Sequence, residues 1–270
     1  MKKLYIIVFI LGTFIFSNLM ALELKDNNSK IEKVFKINNI NGTFLIYDIE
    51  KNNIIGYNQD RSRIEYPPAS TFKIFNSLIA ISNGVIKDVD EKFYKYDGSK
   101  MFLKTWETDM DLKTGIKVSH VPAYQQLATL IGYKNMKANI SKLDFGNKNI
   151  GAREDLMTFW LQGPLKISAI EQVEVLGKLA TNKLSYSKAD QEKIMEIIKL
   201  ESGKNWVLYG KTGWGTKNVE VPIGWFVGVI KENGKFYSFA LNMDVKSAKD
   251  LPLREEITKK SLKAIGLLKN

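Results

Sequence analysis

Ser70 and Lys73 stand three residues apart in the run Tyr66-Pro67-Pro68-Ala69-Ser70-Thr71-Phe72-Lys73-Ile74-Phe75. On a helix that spacing puts a hydroxyl and an amine on one face, within reach of each other as nucleophile and base. The two prolines hold the approach extended and cannot continue a helix interior, so helical geometry is expected from Ser70 onward. A serine placed there lies beside free backbone N–H groups and the positive end of the helix dipole, where an oxyanion forming on it finds a donor. Conventional activation of a serine would use histidine, but a Ser-His-Asp arrangement hangs on the single histidine, His120, which makes lysine the realistic base. An ordinary lysine, with a pKa of about 10.4, is neutral about once in a few thousand molecules at pH 7. Burial must therefore depress Lys73, and Phe72, Ile74 and Phe75 supply apolar neighbours.

A second Ser-x-x-Lys match, Ser185-Tyr186-Ser187-Lys188, follows a polar Thr-Asn-Lys stretch and precedes an amphipathic segment from Ala189 to Ile198. Ser187 reads there as a helix N-cap, with Asp190 completing a weak capping box. Downstream of Ser70, Ser119-His120-Val121 precedes a helix starting near Pro122 and offers a second hydroxyl that can relay a proton. Lys211-Thr212-Gly213 follows a strand over Trp206–Tyr209, where a cation and a hydroxyl can hold a carboxylate and the glycine lets a substrate backbone come close. Lys113-Thr114-Gly115 repeats those three letters without a strand around it and is expected to be an exposed turn. Metal-dependent hydrolysis has no support, since there is no H-E-x-x-H pattern.

These residues need a scaffold. Gly42 to Asp48 reads as a strand and Ile54 to Asn58 as its partner across a Lys51-Asn52-Asn53 turn. From Ser70 to about Ile198 the apolar spacing is helical, in Phe75–Ile81, Ala123–Ile131 and Ile170–Leu179. Strands return at Trp206–Tyr209, Ile223–Ile230 and Phe236–Met243, with Glu232-Asn233-Gly234 as a hairpin turn, and Leu253 to Leu268 closes the chain as an amphipathic helix. The expected fold is α+β: an antiparallel sheet built from both chain ends, flanked by terminal helices, with an inserted all-helical domain. Residues 22–65 and 199–270 form the sheet domain and residues 66–198 the helical one, with the cleft where Ser70 leaves the first hairpin.

At 270 residues and 44% hydrophobic the chain can bury a large core. Met1-Lys2-Lys3 followed by apolar Leu4 to Phe16 and Leu19-Met20-Ala21 reads as a signal peptide over residues 1–21, so export is expected, with no membrane span in the mature protein. Export without cysteine suits a bacterial periplasm, where a large core replaces disulfides. The net charge is +11. Lysines are nonetheless interleaved with acids and form no basic-aromatic stripe, which argues for a solvated surface over nucleic-acid binding.

Taken together, Ser70-Thr71-Phe72-Lys73, Ser119-His120-Val121, Phe145-Gly146-Asn147, Phe159-Trp160-Leu161-Gln162-Gly163-Pro164-Leu165, Lys211-Thr212-Gly213 and Gly224-Trp225-Phe226-Val227-Gly228 resemble the class D serine β-lactamases, the oxacillinase family. The resemblance spans essentially the whole mature chain and implies the fold shared by serine β-lactamases and penicillin-binding transpeptidases. The S-D-N of class A enzymes is absent, with Ser119-His120-Val121 in its slot, and so is the E-x-x-L-N pattern of their deacylating glutamate.

The resemblance implies hydrolysis of penicillins and oxacillin-type β-lactams, and hence antibiotic resistance, through an acyl-enzyme on Ser70. It implies that carbon dioxide or bicarbonate converts Lys73 to N6-carboxylysine, the base of both half-reactions, and that no other cofactor is needed. Ser119 is then a proton relay, and the indole N–H of Trp160 holds the carbamate, with Val121 and Leu161 crowding it. Lys211, Thr212 and Arg254 bind the drug carboxylate, and the amides of Ser70 and Trp214 form the oxyanion hole. His120 is the variable middle position of its motif and is not expected to be catalytic. Phe145 replaces the tyrosine most usual in its motif. Three rivals share parts of the pattern: a penicillin-binding transpeptidase or carboxypeptidase, a β-lactam sensor domain, and a basic secreted binding protein.

Overall fold

A computed structural model of the chain describes residue 24 and residues 26–269; the signal peptide expected over residues 1–21 lies outside the described residues. Nine α-helices and six strands are found among them: α1 Ser29–Ile37, β1 Gly42–Asp48, β2 Asn53–Tyr57, α2 Gln59–Ser62, α3 Lys73–Ser82, α4 Leu112–Lys117, α5 Val121–Ile131, α6 Tyr133–Leu143, α7 Ala169–Ala180, α8 Lys188–Ile197, β3 Lys199–Ser202, β4 Trp206–Gly215, β5 Ile223–Glu232, β6 Lys235–Asp244 and α9 Leu253–Ala264. The strands make one antiparallel sheet in the order β2-β1-β6-β5-β4-β3, the N-terminal hairpin joining the C-terminal meander through β1 and β6, so the sheet is built from both chain ends as expected.

Local chemistry accounts for most boundaries. Asn233 and Gly234 both adopt positive φ, 47° and 86°, which is what a two-residue turn between β5 and β6 requires. Ser168 and Glu171 exchange hydrogen bonds in a capping box that starts α7. Ser187 caps α8 as expected, although the Asp190 carboxylate accepts from Ser82 instead of closing the box. The terminal helix stops at Ala264, short of the expected Leu268, because Gly266 turns left-handed at φ 82°.

The sheet is covered on both faces. On one, α1 and α9 press Ile31, Phe35, Ile257 and Leu262 onto Phe44, Leu208, Phe226 and Phe239. On the other, α7 crosses β1 and β6, the Ser238 hydroxyl donating to the Val173 carbonyl at 2.6 Å. The remaining helices surround α3, in which every residue from Lys73 to Ile81 is buried.

Two expectations change. Lys113-Thr114-Gly115 is no exposed turn: it lies in α4, capped by Asp111 accepting from the Thr114 amide at 2.6 Å, with Gly115 buried against Tyr124. Nor does Lys211-Thr212-Gly213 follow a strand, since β4 runs on through it to Gly215 with unbroken pairing to β5. Helices α1, α2, α4 and α6 and strand β3 are additions to the elements expected from sequence.

Candidate active site

The chain turns into the site at Pro67 and Pro68 and makes one 3-10 turn, Ala69–Phe72, before α3 begins at Lys73. Ser70 thus sits on a tighter coil than the α-helix expected there. Ala69 adopts a left-handed φ of 48°, uncommon for a residue with a side chain. Its amide donates to the Trp160 carbonyl at 2.9 Å, the Thr71 hydroxyl donates to the Pro68 carbonyl at 2.7 Å, and the Gln172 side chain donates to Thr71 at 3.0 Å. From the sheet, the Trp225 indole donates to the Pro67 carbonyl at 3.0 Å. Bonds from three directions hold the conformation that the local sequence would not choose.

The Lys73 amine donates to the Ser70 hydroxyl at 2.8 Å, and the lysine has no exposed surface. Burial holds the amine well below the ordinary lysine range, and the nearby charge of Lys211 lowers it further. The Tyr124 ring lies 5.3 Å from the amine, with its hydroxyl 2.8 Å from that of Ser77. Burial raises the Tyr124 phenol well above its usual value, so it stays neutral. Beneath the turn, Phe72 packs on Phe145, Phe159 and Trp160 at ring separations of 5.4, 5.2 and 5.8 Å. Phe145 is therefore part of the floor of the site. The Trp160 indole N–H is buried and has no hydrogen-bond partner among the described residues. A buried donor without an acceptor costs about 1–3 kcal/mol, so this is a place where an acceptor fits.

Strand β4 forms the opposite wall. β3 pairs with it only as far as Tyr209, which leaves the edge from Lys211 to Gly215 unpaired by β3. A Cβ on Gly213 would lie 3.1 Å from the Pro68 carbonyl oxygen and from the Thr71 methyl, so this glycine admits the nucleophile's turn against the strand. The sequence suggested close approach of a substrate backbone there; the observed close approach is internal. Lys211 is buried, donating to the Thr212 carbonyl at 3.0 Å, and burial together with the Arg254 charge lowers it to about 7. Arg254, from the first turn of α9, donates through Nη1 to the Gly213 carbonyl at 2.7 Å and through Nε to that of Leu251 at 2.6 Å. Gly224 makes room for it, since a Cβ there would meet the Arg254 Cδ at 2.8 Å. Trp214, at 39% exposure, is open to solvent at this edge.

Ser119 lies in the turn between α4 and α5, half-buried, at a left-handed φ of 56°. Val121 opens α5 and Leu161 follows Trp160; both are half-buried. Helix α5 is tied to α3 through the Ser77–Tyr124 contact and through the Asn76 amide donating to the Tyr124 carbonyl at 3.3 Å. Ser70 and Lys73 are bonded directly; Trp160 and Gly213 touch the nucleophile's turn at Ala69, Phe72, Pro68 and Thr71, Arg254 bonds Gly213, and Lys211 acts on Lys73 through its charge, while Ser119 and Val121 belong to the α4–α5 turn and the start of α5. Trp225 and Tyr124 had no assigned role in the sequence. Trp225 stands inside one of the quoted motifs, but nothing in its strand pattern points to Pro67.

Residues 36–263 match the family model described as the penicillin binding protein transpeptidase domain. β-Lactamase OXA-10 of Pseudomonas aeruginosa is 37% identical over 243 residues, covering 89% of this chain and 90% of that one. β-Lactamase OXA-48 of Klebsiella pneumoniae is 36% identical over 256 residues, covering 95% of each. Among solved structures, FUS-1 (OXA-85), a class D β-lactamase from Fusobacterium nucleatum subsp. polymorphum, superposes with a TM-score of 0.87 at 47% identity, covering 90% of this chain and all of that one. With relatives this similar along nearly its full length, and with the serine–lysine pair set against the β4 wall, the chain belongs to the class D serine β-lactamases.

Proposed function

We propose that the protein hydrolyses β-lactam antibiotics, penicillins and oxacillin-type compounds among them, through an ester on Ser70, and so confers resistance. The observation that carries this reading is the 2.8 Å bond between the Ser70 hydroxyl and a fully buried Lys73 amine held well below its ordinary pKa. A neutral amine at that distance takes the hydroxyl proton as Oγ attacks the lactam carbonyl. The amides of Ser70 and Trp214 receive the developing oxyanion. The C–N bond of the ring then breaks, and Ser119 passes a proton to the leaving nitrogen. Lys211, Thr212 and Arg254 hold the substrate carboxylate, while a water cleaves the ester and frees Ser70.

The site also fits a carboxylated Lys73. Only a neutral, desolvated amine attacks carbon dioxide, and the unpartnered Trp160 N–H is a donor of the right kind for the resulting anion, with Val121 and Leu161 as apolar neighbours. In that form Lys73 supplies a carboxylate base to both acylation and deacylation. The basic, apolar start of the sequence supports export to a periplasm.

Turnover of a chromogenic cephalosporin by purified protein in bicarbonate buffer tests the reading. Hydrolysis, with a penicillin adduct on Ser70 trapped by mass spectrometry, is expected. No hydrolysis and no adduct with bicarbonate present would overturn it. Lys73→Ala is expected to abolish turnover, and full activity in that variant would remove the base assignment.

A further inference from the structure

His120 is the chain's only histidine, and it is completely buried. Its Nδ1 accepts the Ala123 amide at 3.0 Å, capping α5. A backbone N–H can only donate, so Nδ1 carries no proton and the neutral ring must bear its hydrogen on Nε2. Nε2 lies 3.0 Å from the Trp106 carbonyl, which can only accept, so both bonds are satisfied by one tautomer. Trp106 returns the contact, its indole donating to the Val118 carbonyl at 3.0 Å. The rings of Tyr94 and Trp106 both pack on the imidazole, with centroids at 4.9 and 5.1 Å. Burial lowers its pKa, the Trp106 bond opposes that, and the Lys73 charge lowers it further.

Ser119 stands at the centre of this arrangement, between Val118 and His120, at φ 56°. Its left-handed turn is the C-terminal stop of α4: the His120 amide donates to the Gly115 carbonyl at 2.9 Å and the Ser119 amide to the Ile116 carbonyl at 3.2 Å, and the two imidazole bonds and the Trp106 indole bond then tie that stop to the Trp106 segment and to the start of α5. We propose that His120 is a positioning residue, whose imidazole clasps the turn bearing Ser119 to the Trp106 segment and to the start of α5, and so aims the Ser119 hydroxyl. This rests on the proton-relay role given to Ser119 above.

The clasp makes the effects of two substitutions non-additive. Acylation of Ser70 by a penicillin is followed by quenched-flow mass spectrometry, with rates referred to folded protein, in the full chain and in Ser119→Ala, His120→Ala and the double variant. His120→Ala is expected to slow acylation about ten- to a hundredfold, the order of loss that small misplacements of a reacting group produce. In the Ser119→Ala background the same substitution is expected to change nothing further, because the group it aims is already gone. Equal slowing in both backgrounds, or none in either, would overturn the proposal. If Ser119→Ala by itself left acylation unchanged, the relay role would fall, and the proposal with it; that failure is recognisable from the single variant alone.

His120→Asn guards against loss of folding. Asparagine is a good N-cap but is too short to reach the Trp106 carbonyl, so the melting temperature should stay near that of the parent while acylation still slows. A fully active His120→Asn variant would count against the clasp. Because there is one histidine, nitrogen NMR of the folded, histidine-labelled chain reads its tautomer without assignment. A neutral ring protonated on Nε2 at pH 7 is expected, and a ring protonated on Nδ1 would overturn the proposal.

Discussion

The indole of Trp225, in the middle of the sheet, donates to the carbonyl of Pro67, three residues before the nucleophile, at 3.0 Å in a fully buried contact. Pro67 lies in the stretch that leads into the Ala69–Phe72 turn, so this bond registers the turn against β5 as Gly213 registers it against β4. The sheet thereby holds Ser70 in place from outside its own helix.

Trp225→Phe keeps the ring but leaves the Pro67 carbonyl without its buried donor. A loss of about 1–3 kcal/mol is expected, read as a fall of several degrees in melting temperature. Turnover should fall as well, because the turn is freed at its base. A variant with unchanged stability and unchanged acylation would show that the bond does not hold the turn.

Trp160→Phe removes the buried N–H that has no partner among the described residues. On the proposed carbamate mechanism, a charged acceptor loses a hydrogen bond of about 1.5–3 kcal/mol. Turnover should drop about ten- to a hundredfold and become more dependent on added bicarbonate. On the unmodified-amine alternative, relieving an unsatisfied donor should raise stability without that dependence, so the bicarbonate titration separates the two.

Lys211 at about 7 gives a pH dependence with a definite sign. Below about 7 the amine is cationic and can hold a substrate carboxylate; above it the ligand-free site loses that charge. KM for an anionic β-lactam should therefore rise as pH passes upward through 7, and Lys211→Arg should remove the trend, since guanidinium stays charged. In the unfolded chain a lysine keeps its proton to about 10.4, so between these values the unfolded state binds more protons and folding stability should rise with pH. Denaturant melts of the parent and of Lys211→Met across that window check the second half.

Gly224→Ala tests Arg254 without altering any charge. The added methyl would meet the Arg254 Cδ at 2.8 Å and push the guanidinium off the Gly213 carbonyl. KM for substrates bearing a carboxylate should rise in the same direction as for Arg254→Ala, with kcat less affected. An unmoved KM in Gly224→Ala, beside a raised one in Arg254→Ala, would show that the observed pose is not the binding pose.

Much of the scaffold was legible because its signals are local. The Asn233-Gly234 turn, the apolar runs of β1, β5 and β6, and the Ser187 cap each follow from a few neighbouring residues. Short elements escaped for the same reason. Helix α4 is six residues long with a glycine in it, so its periodicity is weak; its one clear signal was Asp111 as an N-cap three residues before Thr114. Helix α1 carries its own signal in Asn28, which accepts from the Lys30 and Ile31 amides, but it is a single polar residue among polar neighbours. Strand β3 is mostly exposed at the sheet edge and carries no alternation to read.

Residue types and spacing determined which chemistry this chain can attempt. A serine and a lysine three apart, no cysteine and one histidine leave few other ways to activate a hydroxyl, and that holds whatever surrounds them. What only the tertiary structure decided is the state of those groups. Lys73 is depressed because it is wholly buried and Lys211 adds its charge, Lys211 because it is buried and Arg254 reaches it from α9, and the close approach at Gly213 arises because the nucleophile's turn packs on it. Desolvation and through-space charge depend on neighbours distant in sequence, which local spacing does not encode.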